Sequence, residues 1–297
     1  MQQQSTIFVV VDPNDERHVA LERAITIAGL RTPQPRLQIF VAVDGEAVDT
    51  RAVNDHLFRD ESWFREQIRQ PVAAAGLECE IQVCWSSDWQ GAIIQESRRC
   101  NAEMIYLPVH AKTSRRFTFA ESKWQVLKQA RCPVVLIRPG AKAQRKVVLA
   151  TVNYQAKTDK QRQLNRQITE RARYIAACYG AELHLVNAFL DSMLYPDRGA
   201  LAKLARKTGV PTERIHVQRG YTNEVVSRVA GEVDADLVVM GTLNQYGETG
   251  SLLRGNTAER VIGGVEVDVM VCNEFTSTEG VADTTAHNTE EKLTAVN

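Results

Sequence analysis

At 297 residues the chain is long for one domain and natural for two of about 150 residues each. Hydrophobic residues at 44% and charged residues at 24% let each half bury a core, and Lys+Arg balances Asp+Glu at 36 each, which argues against nucleic acid or anionic lipid as a partner. No run of about 18 apolar residues is present to span a membrane, and the opening Met1-Gln2-Gln3-Gln4-Ser5 has neither the basic stretch nor the apolar core of a signal peptide.

The first β-branched run, residues 7–11, reads as a strand closed by Asp12-Pro13-Asn14. A helix is expected over about 15–30, with Val19, Leu21, Ala24, Ile25 and Ile27 as its apolar stripe. A strand at 37–43 follows, then a helical stretch over about 54–75 that Pro71 is expected to end or kink. Strand 80–85, helix 90–99, strand 104–107, a polar loop, helix 122–130 and strand 133–137 complete the first half. Short apolar strands alternating with helices predict a parallel sheet covered on both faces.

Residues 138–145 (RPGAKAQR) form a basic boundary segment bearing Pro and Gly, and beyond it the order recurs. Strands are expected at 146–152, 183–187, 215–218, 237–240 and 267–271, with helices at 160–178, 200–207, 224–230 and 257–262. Asp12 and Asn153 both end a first strand, 141 residues apart, whereas the third and fourth strands recur at offsets of 134 and 133. Loops absorb such drift, so the pattern is read as one unit written twice. The domains are therefore placed at 1–140 and 146–273. From Glu274 the periodicity stops and Thr and acids accumulate, so 274–297 is expected to be a disordered tail. The six cysteines show no CxxC pair and no His at metal-ligand spacing, which suits small buried hydrophobes in a reducing, cytoplasmic compartment.

Three stretches carry a resemblance. Val10-Val11-Asp12-Pro13-Asn14 opens the chain. Phe117-Thr118, Trp124-Gln125-Val126-Leu127-Lys128 and Cys132-Pro133-Val134 close the first repeat, and Gly255-Asn256-Thr257-Ala258-Glu259-Arg260-Val261-Ile262 closes the second. Over about 7–272 the chain resembles two-domain members of the universal stress protein family. The resemblance implies an α/β fold of two tandem, doubly wound, five-stranded parallel-sheet domains of Rossmann-like type. Strand order 3-2-1-4-5 is expected in each, with separate cores and the repeats packed as an intramolecular pseudo-dimer through their last strands. Family members serve stress survival and often bind ATP. A homodimer of the tandem chain is a weaker expectation.

In ATP-binding members of the family the fourth strand runs into Gly-x2-Gly-x9-Gly-Ser/Thr. The first glycine lets the chain leave the strand tightly, and the later ones bring backbone N–H groups and a helix N-terminus against phosphates. Repeat two matches in part, with Met240 and Gly241 at the strand end, then Asn244, Gly247, Gly250, Arg254, Gly255, Asn256 and Thr257. Asn244 stands for the second glycine and tolerates a left-handed turn. Asn256 stands for the Ser/Thr and is able to cap the last helix, with Glu259 as capping-box partner and no ligand required. Arg254 has two readings, a phosphate contact or a solvated loop charge. The family's first-strand acid corresponds to Asn153, whose amide bonds a ribose or adenine edge less strongly than a carboxylate. Any ATP, with Mg, is therefore expected in repeat two, its base and ribose near Asn153 and Met240 and its phosphates near Gly255, Asn256 and Thr257.

Repeat one keeps the acid, Asp12, but carries Pro108-Val109-His110-Ala111 where Gly241 corresponds, no glycine over 112–119, and Ala120-Glu121-Ser122 before its last helix. A Cβ at every position and an acid at the helix start oppose phosphate, so this half is expected not to bind ATP. His110 reads as a structural histidine at a strand end, and His184 and His216 as core or sheet-surface residues. Trp63, Trp85, Trp89 and Trp124 read as core or interface, with base stacking at Trp85 and Trp89 as the alternative. Lys112, Arg115 and Arg116 read as a solvated basic loop.

The sequence shows no acid/base pair, metal cluster or activated nucleophile with supporting spacing. The leading expectation is a non-catalytic protein acting through a small ligand or a partner. A slow Mg-dependent nucleotide hydrolase and a ligand-free scaffold are its rivals.

Overall fold

The computed structural model describes residues 4–44, 59–109, 121–154, 156–190, 198–242 and 256–273. The opening β-branched run forms β1 (Thr6–Val11), buried along its whole length. Then follow α1 (Val19–Gly29), β2 (Arg36–Asp44), α2 (Glu61–Trp63), a π-helical stretch (Phe64–Arg69), α3 (Gln70–Ala74), β3 (Cys79–Ser86), α4 (Trp89–Arg99), β4 (Ala102–Pro108), α5 (Glu121–Gln129) and β5 (Val134–Ile137). The second half repeats the order as β6 (Val147–Thr151), α6 (Asp159–Tyr179), β7 (Glu182–Phe189), α7 (Arg198–Thr208), β8 (Ile215–Arg219), α8 (Thr222–Glu232), β9 (Leu237–Thr242), α9 (Asn256–Gly264) and β10 (Asp268–Asn273).

Two helices depart from the expected bounds for local reasons. α1 starts at Val19 because Asp12 ties a turn ahead of it: its carboxylate accepts from the Asn14 N–H at 2.9 Å and its carbonyl from the Asp15 N–H at 3.2 Å. Pro71 neither ends nor breaks its helix, which runs on to Ala74. The turn before it is widened to a π-helix, in which the Gln70 N–H donates to the Arg65 carbonyl, and that widening accommodates the missing donor and the ring. In repeat two, α6 opens on a full capping box, Thr158 with Gln161, and closes on Gly180 at φ 63°, a left-handed position suited to glycine.

The ten strands form one sheet in the order β3-β2-β1-β4-β5-β10-β9-β6-β7-β8. Each half thus carries the expected order 3-2-1-4-5, all parallel. The halves join through an antiparallel β5–β10 pair, with Val134 opposite Val271 and Leu136 opposite Val269. The expectation of one core per repeat is corrected here. Because alternate strand residues point to opposite faces, the two hydrophobic clusters divide by sheet face, and each spans both repeats. One lies under α1 and α6 and takes Ile7, Val9, Val148 and Val239; the other lies under α5, α8 and α9 and takes Phe8, Val10, Leu149 and Val238.

The joint is also held by reciprocal caps. Arg138, just past β5, donates from Nε to the Val267 carbonyl at 3.1 Å and from Nη2 to the Ile262 carbonyl near the end of α9. Asn273, which closes β10, donates from Nδ2 to the carbonyls of Leu127 at 2.8 Å and Ala130 at 2.9 Å at the end of α5. Each repeat's terminal residue therefore satisfies the orphan carbonyls of the other repeat's last helix.

Candidate functional site

In an open α/β sheet, ligands meet the carboxyl ends of the strands where the strand order reverses, which in repeat two lies between β6 and β9. Asp236 sets the register at the opposite end, its Oδ2 accepting from the Lys146 N–H at 2.7 Å and the Val147 N–H at 3.1 Å. Val148 then pairs with Leu237 and Ala150 with Val239. Carried on, that register sets Asn153 level with Thr242.

Asn153 is exposed, while its main chain is held from both sides by Asn165 on α6. The Asn153 N–H donates to Asn165 Oδ1 at 3.0 Å, and Asn165 Nδ2 donates to the Asn153 carbonyl at 2.6 Å. The Tyr154 N–H next donates to Oδ1 of the buried Asn187 at 3.2 Å. Sequence reasoning missed both anchoring amides; the one available signal was Asn187 closing an apolar strand run.

Met240 is 5% exposed and packs in the cluster that includes Ala258, Val261 and Ile262 of α9, so its side chain serves the core. Gly241 lies next to the last described residue of β9, Thr242, and pairs with Cys272 of β10. A Cβ on Gly241 would lie 2.6 Å from Leu164 Cδ2 and 2.8 Å from Ile168 Cδ1, so the missing side chain makes room for α6. Asn256 is the first residue of α9, and Thr257 is exposed in that first turn. Asn244, Gly247, Gly250, Arg254 and Gly255 lie outside the described residues, as do His110, the 112–119 loop and Ala120 in repeat one, and the 274–297 segment.

At this end of the sheet Asn153 is exposed, while Thr242, level with it in the strand register, is 9% exposed. Repeat one differs. A cavity of about 210 Å³ opens at the end of β4, lined by Asp15, Glu16, Arg17, Val19, Pro108, Val109 and Pro139. Beside it the Arg59 guanidinium holds the Pro13 carbonyl at 3.0 Å from Nε, and the Trp63 ring meets His18 edge-on at 5.3 Å. Burial pushes the His18 imidazole below its ordinary range.

Trp63, Trp89 and Trp124 pack against the cores as expected, while Trp85 is 46% exposed on β3. His184 and His216 face one another across β7 and β8, with His184 Nδ1 3.0 Å from His216 Nε2. Among the described residues there is no group of three His, Cys, Asp or Glu side chains placed to hold a metal ion. No helix among them is long and apolar enough to cross a membrane.

The chain matches the Universal stress protein family over residues 5–138 and again over 144–273. The universal stress protein E homolog of Haemophilus influenzae is 25% identical, the match covering 89% of this chain and 96% of that one. Universal stress protein E of Escherichia coli K12 is 26% identical, with coverage of 89% and 92%. Among solved structures, a functionally unknown protein from Pseudomonas aeruginosa PAO1 superposes with a TM-score of 0.75 at 26% identity, covering 92% of this chain and 93% of its own. A universal stress protein from Archaeoglobus fulgidus shares the fold, with a TM-score of 0.66 at 18% identity over 91% of this chain and 97% of its own.

Proposed function

Because the chain belongs to the universal stress protein family, as a tandem of two of its domains, we propose that it is a non-catalytic stress-response protein of the cytoplasm that acts by binding a small ligand in repeat two. The observation that carries this reading is Asn153: an exposed amide whose main chain is pinned by Asn165 at the point where the strand order reverses. A main chain held in place before the ligand arrives leaves only the side-chain torsions of Asn153 to be fixed on binding. A nucleotide is the ligand class that the crevice and the glycines of the 241–257 segment fit best. In that reading Asn153 and Thr242 meet the ribose or base, and the segment from Gly247 to Thr257 meets the phosphates. Repeat one, with its glycine-free loop, acts as the structural partner.

Native mass spectrometry of the purified full chain tests for a retained nucleotide, and calorimetry with ATP locates the site. Gly255→Glu is expected to abolish binding by adding bulk and negative charge, while Ala120→Glu in repeat one leaves it unchanged. Binding in repeat one, or equal binding in both repeats, overturns the assignment. Mg-dependent ATP turnover that Gly255→Glu removes overturns the non-catalytic reading.

A further inference from the structure

The joint between the repeats contains a buried cluster short of negative charge. Arg23 of α1 and Arg145, just ahead of β6, converge on Asp268 at the start of β10. Arg23 Nε lies 3.4 Å from Asp268 Oδ2 and Arg145 Nη2 lies 3.2 Å from the same oxygen. The other carboxylate oxygen accepts the Arg138 backbone N–H at 2.9 Å. The three side chains are 2%, 0% and 0% exposed, in the order Arg23, Arg145, Asp268. Among the described residues Asp268 is the one acid that either guanidinium touches, so two buried cations share a single carboxylate.

The two cations are not equally served. Arg23 also donates from Nη2 to the Ala141 carbonyl. Arg145 has its one Asp268 contact and the Tyr179 ring, whose centroid lies 5.4 Å from the guanidinium carbon. Its Nε and Nη1 are buried and make no hydrogen bond, and Tyr179 Oη is buried and unpartnered too. A buried donor left unmet costs free energy, and a buried charge without its counter-charge costs far more. Such a group calls for an ordered water or an ion, and the surplus of positive charge favours the ion.

We propose that the joint binds one small monovalent anion of chloride size against the Nε or Nη1 edge of Arg145. Arg145 Nε and Nη1 are cut off from solvent, so an anion meeting them sheds its hydration shell, which disfavours a bulky organic acid. Its effect is to neutralise the second guanidinium and so to clamp α1 of repeat one, the 138–146 segment and β10 of repeat two together. This site is separate from the repeat-two crevice and stands whether or not a nucleotide binds there.

The test is thermal unfolding of the full chain at a fixed ionic strength of about 0.3 M, where general screening is constant, with gluconate replaced stepwise by chloride. A rise in Tm that grows with the logarithm of chloride concentration above about 10 mM, reaching roughly 3–5 °C at about 0.3 M, is expected for a site half-filled at about 10 mM. Arg145→Met leaves Arg23 and Asp268 as a balanced pair and is expected to remove the chloride dependence. Should that variant fail to fold, bromide-soaked crystals of the unaltered chain decide the matter through an anomalous peak beside Arg145. Equal Tm in the two salts, an unchanged chloride response in a folded Arg145→Met, or no bromide peak would each overturn the proposal, the last leaving water as the occupant.

Discussion

Gly241 reads in the sequence as the first glycine of a phosphate loop, and its position was legible while its purpose was not. The sequence shows that a side chain is missing there. It does not show that Leu164 and Ile168, more than seventy residues away, occupy the space. Gly241→Ala is therefore expected to destabilise the ligand-free chain by about 1–3 kcal/mol in urea unfolding, the range for overpacking. Combined with Leu164→Ala, it should cost less than the sum of the two single losses, because the two changes share one contact. Unchanged stability in Gly241→Ala would return the residue to a purely ligand-binding role. Asn153 was legible for a different reason: it stands where a strand run ends, and its departure from the family's acid is visible without a structure. What held it there was not, since Asn165 is one polar residue among many on an amphipathic helix.

The elements themselves were readable to within a few residues, because β-branched runs and helical stripes record local burial. The misses fall where the deciding contact is not local. The π-helical turn before Pro71 depends on the whole helix being worth keeping, which a proline penalty alone does not convey. The pairing of His184 with His216 depends on the β7–β8 register, which sets Val186 beside His216. Their ring planes lie within 10° and their centroids 5.3 Å apart, so with nitrogens 3.0 Å apart they meet edge to edge and share one proton. Around them, Glu182 of β7 lies 3.5 Å from His184 Nε2 and is itself paired to Arg214, while Arg228 and Glu232 of α8 bond Gln218 of β8. Burial, with the charge of His184 behind it, pushes the His216 imidazole below its ordinary value, and Glu232 opposes this. A histidine lowered on folding takes its proton more readily in the unfolded chain. Its stabilisation is thus whole above about pH 6.5 and is lost as pH falls below that value. His18 adds a loss in the same direction, so the comparison that isolates the pair is His216→Gln against the unaltered chain. Between about pH 7.5 and 5 the variant's Tm should fall less steeply. NMR titration should place His216 below about 6.5; a higher value would contradict the edge-to-edge reading.

At the scale of the whole molecule, the α/β class followed from the pattern of the chain and the strand order from the family resemblance, whereas the merging of two sheets into one followed from neither. β5 and β10 are both short apolar runs, and their edges were expected to bring the repeats together, but nothing in such a run states that they pair as an antiparallel ladder that makes one sheet. The structure answers with an antiparallel pair, two cores shared across it, and caps exchanged over it. Those features make the repeats interdependent. Asn273 is 2% exposed and is the side chain that reaches the Leu127 and Ala130 carbonyls of the opposite repeat. Removing its amide leaves acceptors unmet in a buried place, a loss of about 1–3 kcal/mol. Asn273→Ala in repeat two is accordingly expected to weaken hydrogen-exchange protection in α5 of repeat one, which a repeat folding on its own account would not feel. Calorimetry should still show one unfolding transition at a lower Tm, because cores that run through both halves leave neither half a complete interior to keep. Two resolved transitions, with α5 protection intact, would mean that the repeats fold separately and that the continuous sheet contributes little to their stability.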